Sequence, residues 1–225
     1  MNCLVVVAHP DDETIWMGGL ILRHPGWSWR VLALTRAGDT DRVSRFRRAG
    51  RELGAEVSVS DLDDGTVLKP LSRDLREIRD RIGVMLEGAP DARPGVCDTQ
   101  SAACGFDLIF THGVRGEYTR HRRHEQVHRA VKNMWASGQL AGELVFFAYE
   151  DGGGAYRPRA AGDARIRVSL TTEEYARKMH IIRNTYGYRR ASFEARAAGP
   201  VEAFTTSASE RAAAQLRSRF EMPDH

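Results

Sequence analysis

The stretch Cys3-Leu-Val-Val-Val-Ala8 constrains the fold more than any other part of this chain. It is a short, continuous apolar run rich in β-branched residues. It lacks the polar alternation of a half-exposed strand, so it reads as a strand buried on both faces, as in a parallel sheet. It ends abruptly. Pro10 stops the strand, and Asp11-Asp12-Glu13 leads into an amphipathic stretch from Thr14 to Arg23. A buried strand followed by a loop and a helix is the first half of a βαβ unit, which demands further parallel strands later in the chain.

The later segments supply them. Arg30 to Thr35 is a second strand, followed by a turn at Ala37 to Thr40 and an Arg-rich helix that Gly54 stops. Glu56 to Leu62 is a weaker third strand, and Leu71 to Leu86 a helix with Leu71, Leu75, Ile78, Ile82 and Met85 on its apolar face. Asp107 to Thr111 then reads as a strand, Glu125 to Ser137 as a helix, and Leu144 to Tyr149 as a fifth strand. Arg165 to Leu170 reads as an edge strand before a helix from Thr172 to Asn184. The alternation predicts an α/β fold: a Rossmann-like, mostly parallel sheet with helices on both faces. A single domain is expected over residues 1–225, with residues 1–150 as the motif-bearing core and 151–225 as its C-terminal extension. Glu87 to Gly105 reads as a long loop and candidate lid, and Asp151 to Gly154 as a hinge or loop.

Composition removes several classes of function. A chain of 225 residues, 42% apolar and 28% charged, can bury a full core without disulfide or metal staples. Any metal must therefore be argued from chemistry. No apolar run approaches the roughly 20 residues that span a bilayer, and no basic segment precedes the first apolar stretch. A cytoplasmic protein without a membrane span is expected. The three cysteines, Cys3, Cys97 and Cys104, contain no CxxC pair and suit neither a disulfide framework nor a thiolate zinc site. A net charge of +3 and a pI of 8.9 raise the question of nucleic acid. The lysines are Lys69, Lys132 and Lys178 alone, and the densest basic stretch, Arg42 to Arg51, carries Val43, Phe46 and Ala49 at helical spacing. That stretch reads as a solvated helix face, and no nucleic-acid partner is expected. A homo-oligomer stays open.

In open parallel sheets the ligand crevice lies beyond the carboxyl ends of the strands. After the first strand come His9, Asp11, Asp12 and Glu13; after the fourth come His112, Glu117, Tyr118, His121, His124 and His128. Imidazole and carboxylate together suit zinc, and iron(II) can occupy the same donor set. A catalytic site needs three protein ligands and an open position. His9 and Asp12, three residues apart in a turn, provide two, and His124 provides the third. Asp11 is left beside the metal to take a proton from water, and His121 can reach the opposite side of a substrate.

These residues also resemble a known family. Ala8-His9-Pro10-Asp11-Asp12-Glu13, Thr111-His112-Gly113, Gly116-Glu117-Tyr118 and His121-x-x-His124-x-x-Val127-His128 look like the LmbE-like zinc-dependent de-N-acetylases. That family includes the N-acetylglucosaminyl-phosphatidylinositol deacetylases, and the resemblance covers residues 1 to about 150. Weaker echoes are Thr35 to Arg42, Leu62-Asp-Asp-Gly65, and Lys178 before Tyr186.

The resemblance implies zinc on His9, Asp12 and His124, Asp11 as general base, and His121 as the charged partner of the oxyanion or leaving group. It places Arg42, Asp64 and Tyr118 at the sugar. The implied activity is removal of an acetyl or short acyl group from an N-acetylglucosamine-type conjugate. The alternatives are a deacylase of a glycosylated natural product or glycolipid, or a noncatalytic binding protein that keeps the fold. Two departures stand out. Arg122-Arg123 replaces the usual Pro-Asp between the motif histidines, and Tyr118 lies three rather than two residues before His121. The new arginines suggest an anionic group on the substrate.

Overall fold

The computed structural model describes residues 1–64, 69–88, 104–152 and 157–222. Strand β1 (Asn2–Val7) is buried on both faces, as its composition requires. Leu4, Val6 and Ala8 enter one core, while Cys3, Val5 and Val7 enter the other. Each large apolar side chain taken fully out of water there contributes about 1.5–3 kcal/mol.

The chain continues through α1 (Asp12–Arg23), β2 (Ser28–Thr35), α2 (Thr40–Leu53), β3 (Ala55–Leu62) and α3 (Leu71–Glu87). It returns through β4 (Cys104–Thr111), α4 (Arg122–Ala136) and β5 (Leu140–Phe147). A short hairpin of β6 (Tyr149–Glu150) and β7 (Arg159–Ala160) follows, then β8 (Ile166–Ser169) and α5 (Thr172–His180). A π-helical turn (Ile181–Thr185), α6 (Phe193–Ala197), β9 (Val201–Thr206) and α7 (Glu210–Glu221) complete the described chain.

The main sheet has seven strands in the order β3-β2-β1-β4-β5-β9-β8. Its first four pairings are parallel, with Val5 opposite both Val31 and Phe110. β9 runs antiparallel to β5 and to β8. From β1 the chain winds outward to β3 and then returns to β4 on the other side. The carboxyl ends of β1 and β4 therefore flank the topological switch point, where crevices form in such sheets. Ile78, Ile82, Val127 and Val131 of α3 and α4 cover one face. Trp16 and Leu20 of α1, Phe46 of α2, Phe204 of β9 and Phe220 of α7 share the core on the other, so residues beyond 150 complete the same domain.

The expected α/β architecture is present, with local differences. β4 begins at Cys104 and β5 at Leu140, each earlier than their apolar centres suggested. The helix expected over Thr172 to Asn184 is α-helical to His180 and then widens into the π-turn. No element was expected after Asn184, yet β9 and α7 lie there. Glu202, the second residue of β9, breaks the apolar pattern that would reveal a strand. It is fully buried, bonded to Lys178 Nζ at 2.8 Å and to the backbone N–H groups of Gly19 and Leu20 at 2.7 Å each. Cys3 is a buried free thiol, and Trp16 and Trp29 are core residues. The centre of the proposed lid (residues 89–103, with Cys97), Gly65 of the aspartate motif, and Gly153 and Gly154 of the hinge lie outside the described residues. Among the described residues no helix is long and apolar enough to cross a membrane.

Candidate metal centre

The end of β1 is pinned to its neighbour: the Ala8 carbonyl accepts the Thr35 N–H at 3.0 Å and the Thr35 hydroxyl at 2.8 Å. The chain turns at once into α1, whose first bonds run from Thr14 and Ile15 N–H to the Asp11 carbonyl at 3.0 and 2.9 Å. This tight passage brings His9 and Asp12 back onto one another. The Asp12 Oδ2 atom lies 2.8 Å from the His9 N–H and 3.2 Å from His9 Nδ1. From the other side of the switch point, His121 caps α4 and His124 occupies its first turn.

Three donor atoms converge there. His9 Nδ1 lies 3.2 Å from His124 Nε2, and His124 Nε2 lies 3.5 Å from Asp12 Oδ2. A tetrahedral zinc ion with bonds of about 2.0–2.1 Å has ligand–ligand edges of about 3.3–3.4 Å. The spacing of the three donors matches those edges, so these residues fit a zinc ion. Asp12 Oδ1 is taken by the Trp16 indole N–H at 3.1 Å, which commits Oδ2 to the cluster.

Hydrogen bonds around the cluster decide which histidine nitrogens carry lone pairs. His124 Nδ1 is bonded to Glu117 Oε2 and His9 Nε2 to Asp64 Oδ1, the latter at 2.8 Å. Each carboxylate accepts an N–H and directs the opposite ring nitrogen's lone pair into the cluster, the arrangement expected of ligating histidines. His112 also approaches Asp12 Oδ2, at 3.5 Å. Its Nε2 lone pair, however, accepts the Ala8 N–H at 2.9 Å, and its Nδ1 donates to Glu117 Oε1 at 3.0 Å. His112 is thereby a strut between β1 and Glu117. Glu117 is fully buried and also accepts the Gly113 N–H at 2.9 Å. His128 reaches the same strut through its Nδ1, 2.8 Å from the His112 carbonyl.

The charges follow the geometry. Burial opposes the charged form of His9, yet its bonds to Asp12 and Asp64 lift it to about 10. Asp12 is held well below the usual carboxylate range: His124 and His9 outweigh its burial. A cation arriving here displaces a proton from His9. Asp11 behaves oppositely. Burial and the neighbouring Asp12 push it up to about 7 against the pull of Arg42 and Tyr188. Burial, together with His124 and His9, lowers His121 to about 4, so this ring is neutral near pH 7.

Of the residues expected at a sugar, Arg42 lies beside Asp11, with Nη1 3.6 Å from its Oδ2. Asp64 is bonded to His9 and Arg36, and Tyr118 packs on Phe193 at a ring distance of 4.3 Å. Arg122 and Arg123, which the sequence suggested for an anionic substrate, are both engaged within the fold. Arg122 pairs with Asp74 at 3.0 Å, and buried Arg123 bonds Gln126 at 2.7 Å and the Asp63 carbonyl. Both turn toward α3 and the end of β3. Neither acid near the motif backs His121, since Glu117 serves His112 and His124 while Glu125 pairs with Arg120. A cavity of about 920 Å³ is lined by Tyr118, Arg120, His128, Lys132 and Phe147; none of the three donors, nor Asp11 or His121, lines it.

Sequence reasoning gave Tyr186 only as a weak family echo with no role and missed Tyr188; their hydroxyls reach Glu13 and Asp11. Tyr186-Gly-Tyr188 carries no motif that signals this. The arginines of α2 do lie on its solvated side, opposite buried Val43, Phe46 and Ala49, but two of them also reach the C-terminal turn: Arg48 donates to the Thr185 carbonyl at 2.8 Å, and Arg45 donates to that of Tyr186.

A parallel sheet that gathers two histidines and two aspartates at its switch point defines a protein with a candidate metal site at the carboxyl edge of its strands. The family model for the GlcNAc-PI de-N-acetylases (PIG-L) matches residues 4–135, which include every residue of that cluster, and the chain belongs to this family of LmbE-like de-N-acetylases. No curated protein sequence matches the chain significantly. Among solved structures, a deacetylase in complex with teicoplanin is similar, with a TM-score of 0.63 and 13% identity, covering 93% of this chain and all of the other (100%). The N,N'-diacetylchitobiose deacetylase of Pyrococcus horikoshii is similar with a TM-score of 0.53 and 13% identity, covering 82% of this chain and 69% of that one. The 4-carboxy-2-hydroxymuconate hydratase of Pseudomonas putida KT2440 has a TM-score of 0.57 and 14% identity, covering 87% of this chain and 82% of the other. At such identities the likeness concerns the fold, which hosts more than one chemistry.

Proposed function

We propose that the chain is a zinc-dependent N-deacetylase that removes an acetyl or short acyl group from the amine of a glucosamine-type sugar conjugate. The observation that carries the reading is the triangle of His9 Nδ1, Asp12 Oδ2 and His124 Nε2, with edges of 3.2, 3.2 and 3.5 Å beside a second aspartate. Family membership and the deacetylases among its structural neighbours point to the same chemistry. Zinc, or iron(II), held by these three residues would polarise the amide carbonyl and acidify a water molecule.

The chain's own residues do the rest. Asp11, raised to about 7, accepts a proton from the attacking water as its oxygen bonds to the carbonyl carbon. His121, neutral near pH 7, offers an N–H to the developing oxyanion rather than a full charge. Asp11 then delivers its proton to the nitrogen as the C–N bond breaks, leaving acetate and a free amine. Glu117 and Asp64 hold the two ligating rings, and Arg42, near Asp11, is placed to meet a sugar hydroxyl. The 920 Å³ cavity can receive the remainder of the conjugate.

The test is elemental analysis of dialysed wild type and His124→Ala, followed by an amine-release screen over N-acetylglucosaminides and their lipid and aglycone conjugates. About one zinc or iron per chain, lost in the variant, with turnover that Asp11→Asn abolishes while keeping the metal, is expected. Absence of metal uptake, or turnover of an enoate by hydration in place of amide cleavage, would refute the reading.

A further inference from the structure

Asp11 has a backbone that side chains rarely adopt, with φ 127° and ψ −27°. For a residue other than glycine such a conformation costs on the order of 1–3 kcal/mol and persists only where the surroundings impose it. The surroundings here are two tyrosines from the C-terminal part of the chain, outside the family-matched residues 4–135. The Asp11 N–H donates to Glu13 Oε2 at 3.0 Å, and the Tyr186 hydroxyl donates to Glu13 Oε1 at 2.6 Å. The Tyr188 hydroxyl donates to Asp11 Oδ2, and Arg42 Nη2 donates to that same hydroxyl at 3.2 Å. Tyr186 thus secures the backbone of Asp11 through Glu13, while Tyr188 secures its carboxylate directly.

The two rings leave one short turn. The π-turn closes through Tyr186 N–H to the Ile181 carbonyl at 2.9 Å, and Gly187 between the tyrosines has a φ of 82°. A Cβ at Gly187 would lie 2.5 Å from Arg45 Nη1, so the glycine also admits the arginine that holds the turn. Arg45 and Arg48 of α2 take the carbonyls of Tyr186 and Thr185, and the Thr185 hydroxyl donates to Glu52 at 2.6 Å. A continuous brace runs from α2 through the π-turn to Asp11, and π-turns recur at functional sites.

We infer that Tyr186 and Tyr188 are positioning residues for the proton acceptor of this enzyme: they fix Asp11 through its N–H and Oδ2 and leave Oδ1 to face the water. The inference rests on the proposed function, which makes Asp11 the acceptor. The contacts of Tyr188 and Arg42 both fall on Oδ2, so neither uses Oδ1. Without the phenol the carboxylate rotates, and the proton-accepting oxygen loses its aim while the donors on His9, Asp12 and His124 stay in place.

Tyr188→Phe, Tyr186→Phe and the double variant are measured for kcat, KM, zinc content and thermal midpoint on a substrate that the wild type cleaves. Loss of an orienting partner typically costs about 10- to 100-fold. Tyr188→Phe is expected to lower kcat by that factor with KM, zinc per chain and thermal midpoint as in the wild type, and Tyr186→Phe to lower kcat by less. Arg45→Met, which weakens the turn without touching the site, is expected to reproduce the kcat loss in part. Wild-type kcat in Tyr188→Phe overturns the inference and leaves the deacetylase reading intact. So does a kcat loss that tracks lost zinc, because the phenol would then support the ligands and not the base. A wild type inactive on every amide refutes the proposed function itself, and this inference with it.

Discussion

Glu117→Gln tests how a residue outside the cluster sets the chemistry inside it. Glu117 Oε1 accepts from His112 Nδ1 at 3.0 Å and from the Gly113 N–H at 2.9 Å, and Oε2 is bonded to His124 Nδ1. His112 and His124 overcome the burial of the carboxyl and hold it at about 2, so it is an acceptor at every relevant pH. Glutamine preserves the volume and one acceptor. With its oxygen kept on His112 and Gly113, its amide nitrogen must face His124 Nδ1, which then has to become the acceptor. The proton moves to Nε2, the atom that points at Asp12 and His9, and the lone pair a cation needs is gone. Restoring the productive tautomer means losing one charge-assisted hydrogen bond, worth about 1.5–3 kcal/mol. That range is roughly ten- to a hundredfold in affinity, the usual effect of removing a carboxylate behind a ligating histidine. The assay is a competitive zinc titration against a chromophoric chelator, with circular dichroism confirming the fold of the apo variant. Zinc affinity equal to the wild type in a folded Glu117→Gln protein would show that the Glu117–His124 bond does not select the tautomer.

Further predictions follow from other parts of the fold. Lys178→Met leaves the buried Glu202 carboxylate without its cation and should cost about 3–5 kcal/mol in urea unfolding; a loss below 1 kcal/mol would mean that the Gly19 and Leu20 N–H groups alone satisfy it. Gly50→Ala places a Cβ 2.5 Å from Val57 Cγ1, where α2 meets β3, and should destabilise by about 1–3 kcal/mol; an unchanged midpoint would show that Val57 yields freely. Burial pushes the Cys3 thiol up to about 12, so its thiolate is scarce at pH 8. Peptide mapping after iodoacetamide treatment should find Cys3 unmodified in the native protein and alkylated in denaturant, and rapid native labelling would contradict the burial. Arg123→Ala removes a buried guanidinium that bonds Gln126 and the Asp63 carbonyl, so it should lower the thermal midpoint while leaving the salt dependence of substrate KM unchanged. A KM that rises specifically for anionic conjugates would restore the substrate-facing role.

The sequence by itself determined the parts whose physics is local. A doubly buried strand needs an unbroken apolar run, and Cys3 to Ala8 provides one; its abrupt end in His9 to Glu13 announces a strand-end site, and the spacing of His124 and His128 sets them one helical turn apart. Those patterns sufficed for a parallel sheet with donors at its carboxyl edge. They put the third donor on His124, but they did not show what keeps His112 out of the cluster. Both follow β4, both approach Asp12, and the difference lies in which nitrogen has its lone pair taken by the Ala8 N–H, a contact between residues 104 apart. β9 was hidden for a similar reason, because a glutamate in a strand is compatible with burial only when Lys178 is brought to it from α5. On the solvated face of α2, Arg45 and Arg48 found their partners only where the π-turn supplied carbonyls. The two tyrosines acquired a role only where the turn sets them over Asp11. In each case hydrogen-bond satisfaction across the fold decided the outcome, since a buried polar group takes its meaning from its partner, and the partner is chosen by tertiary structure.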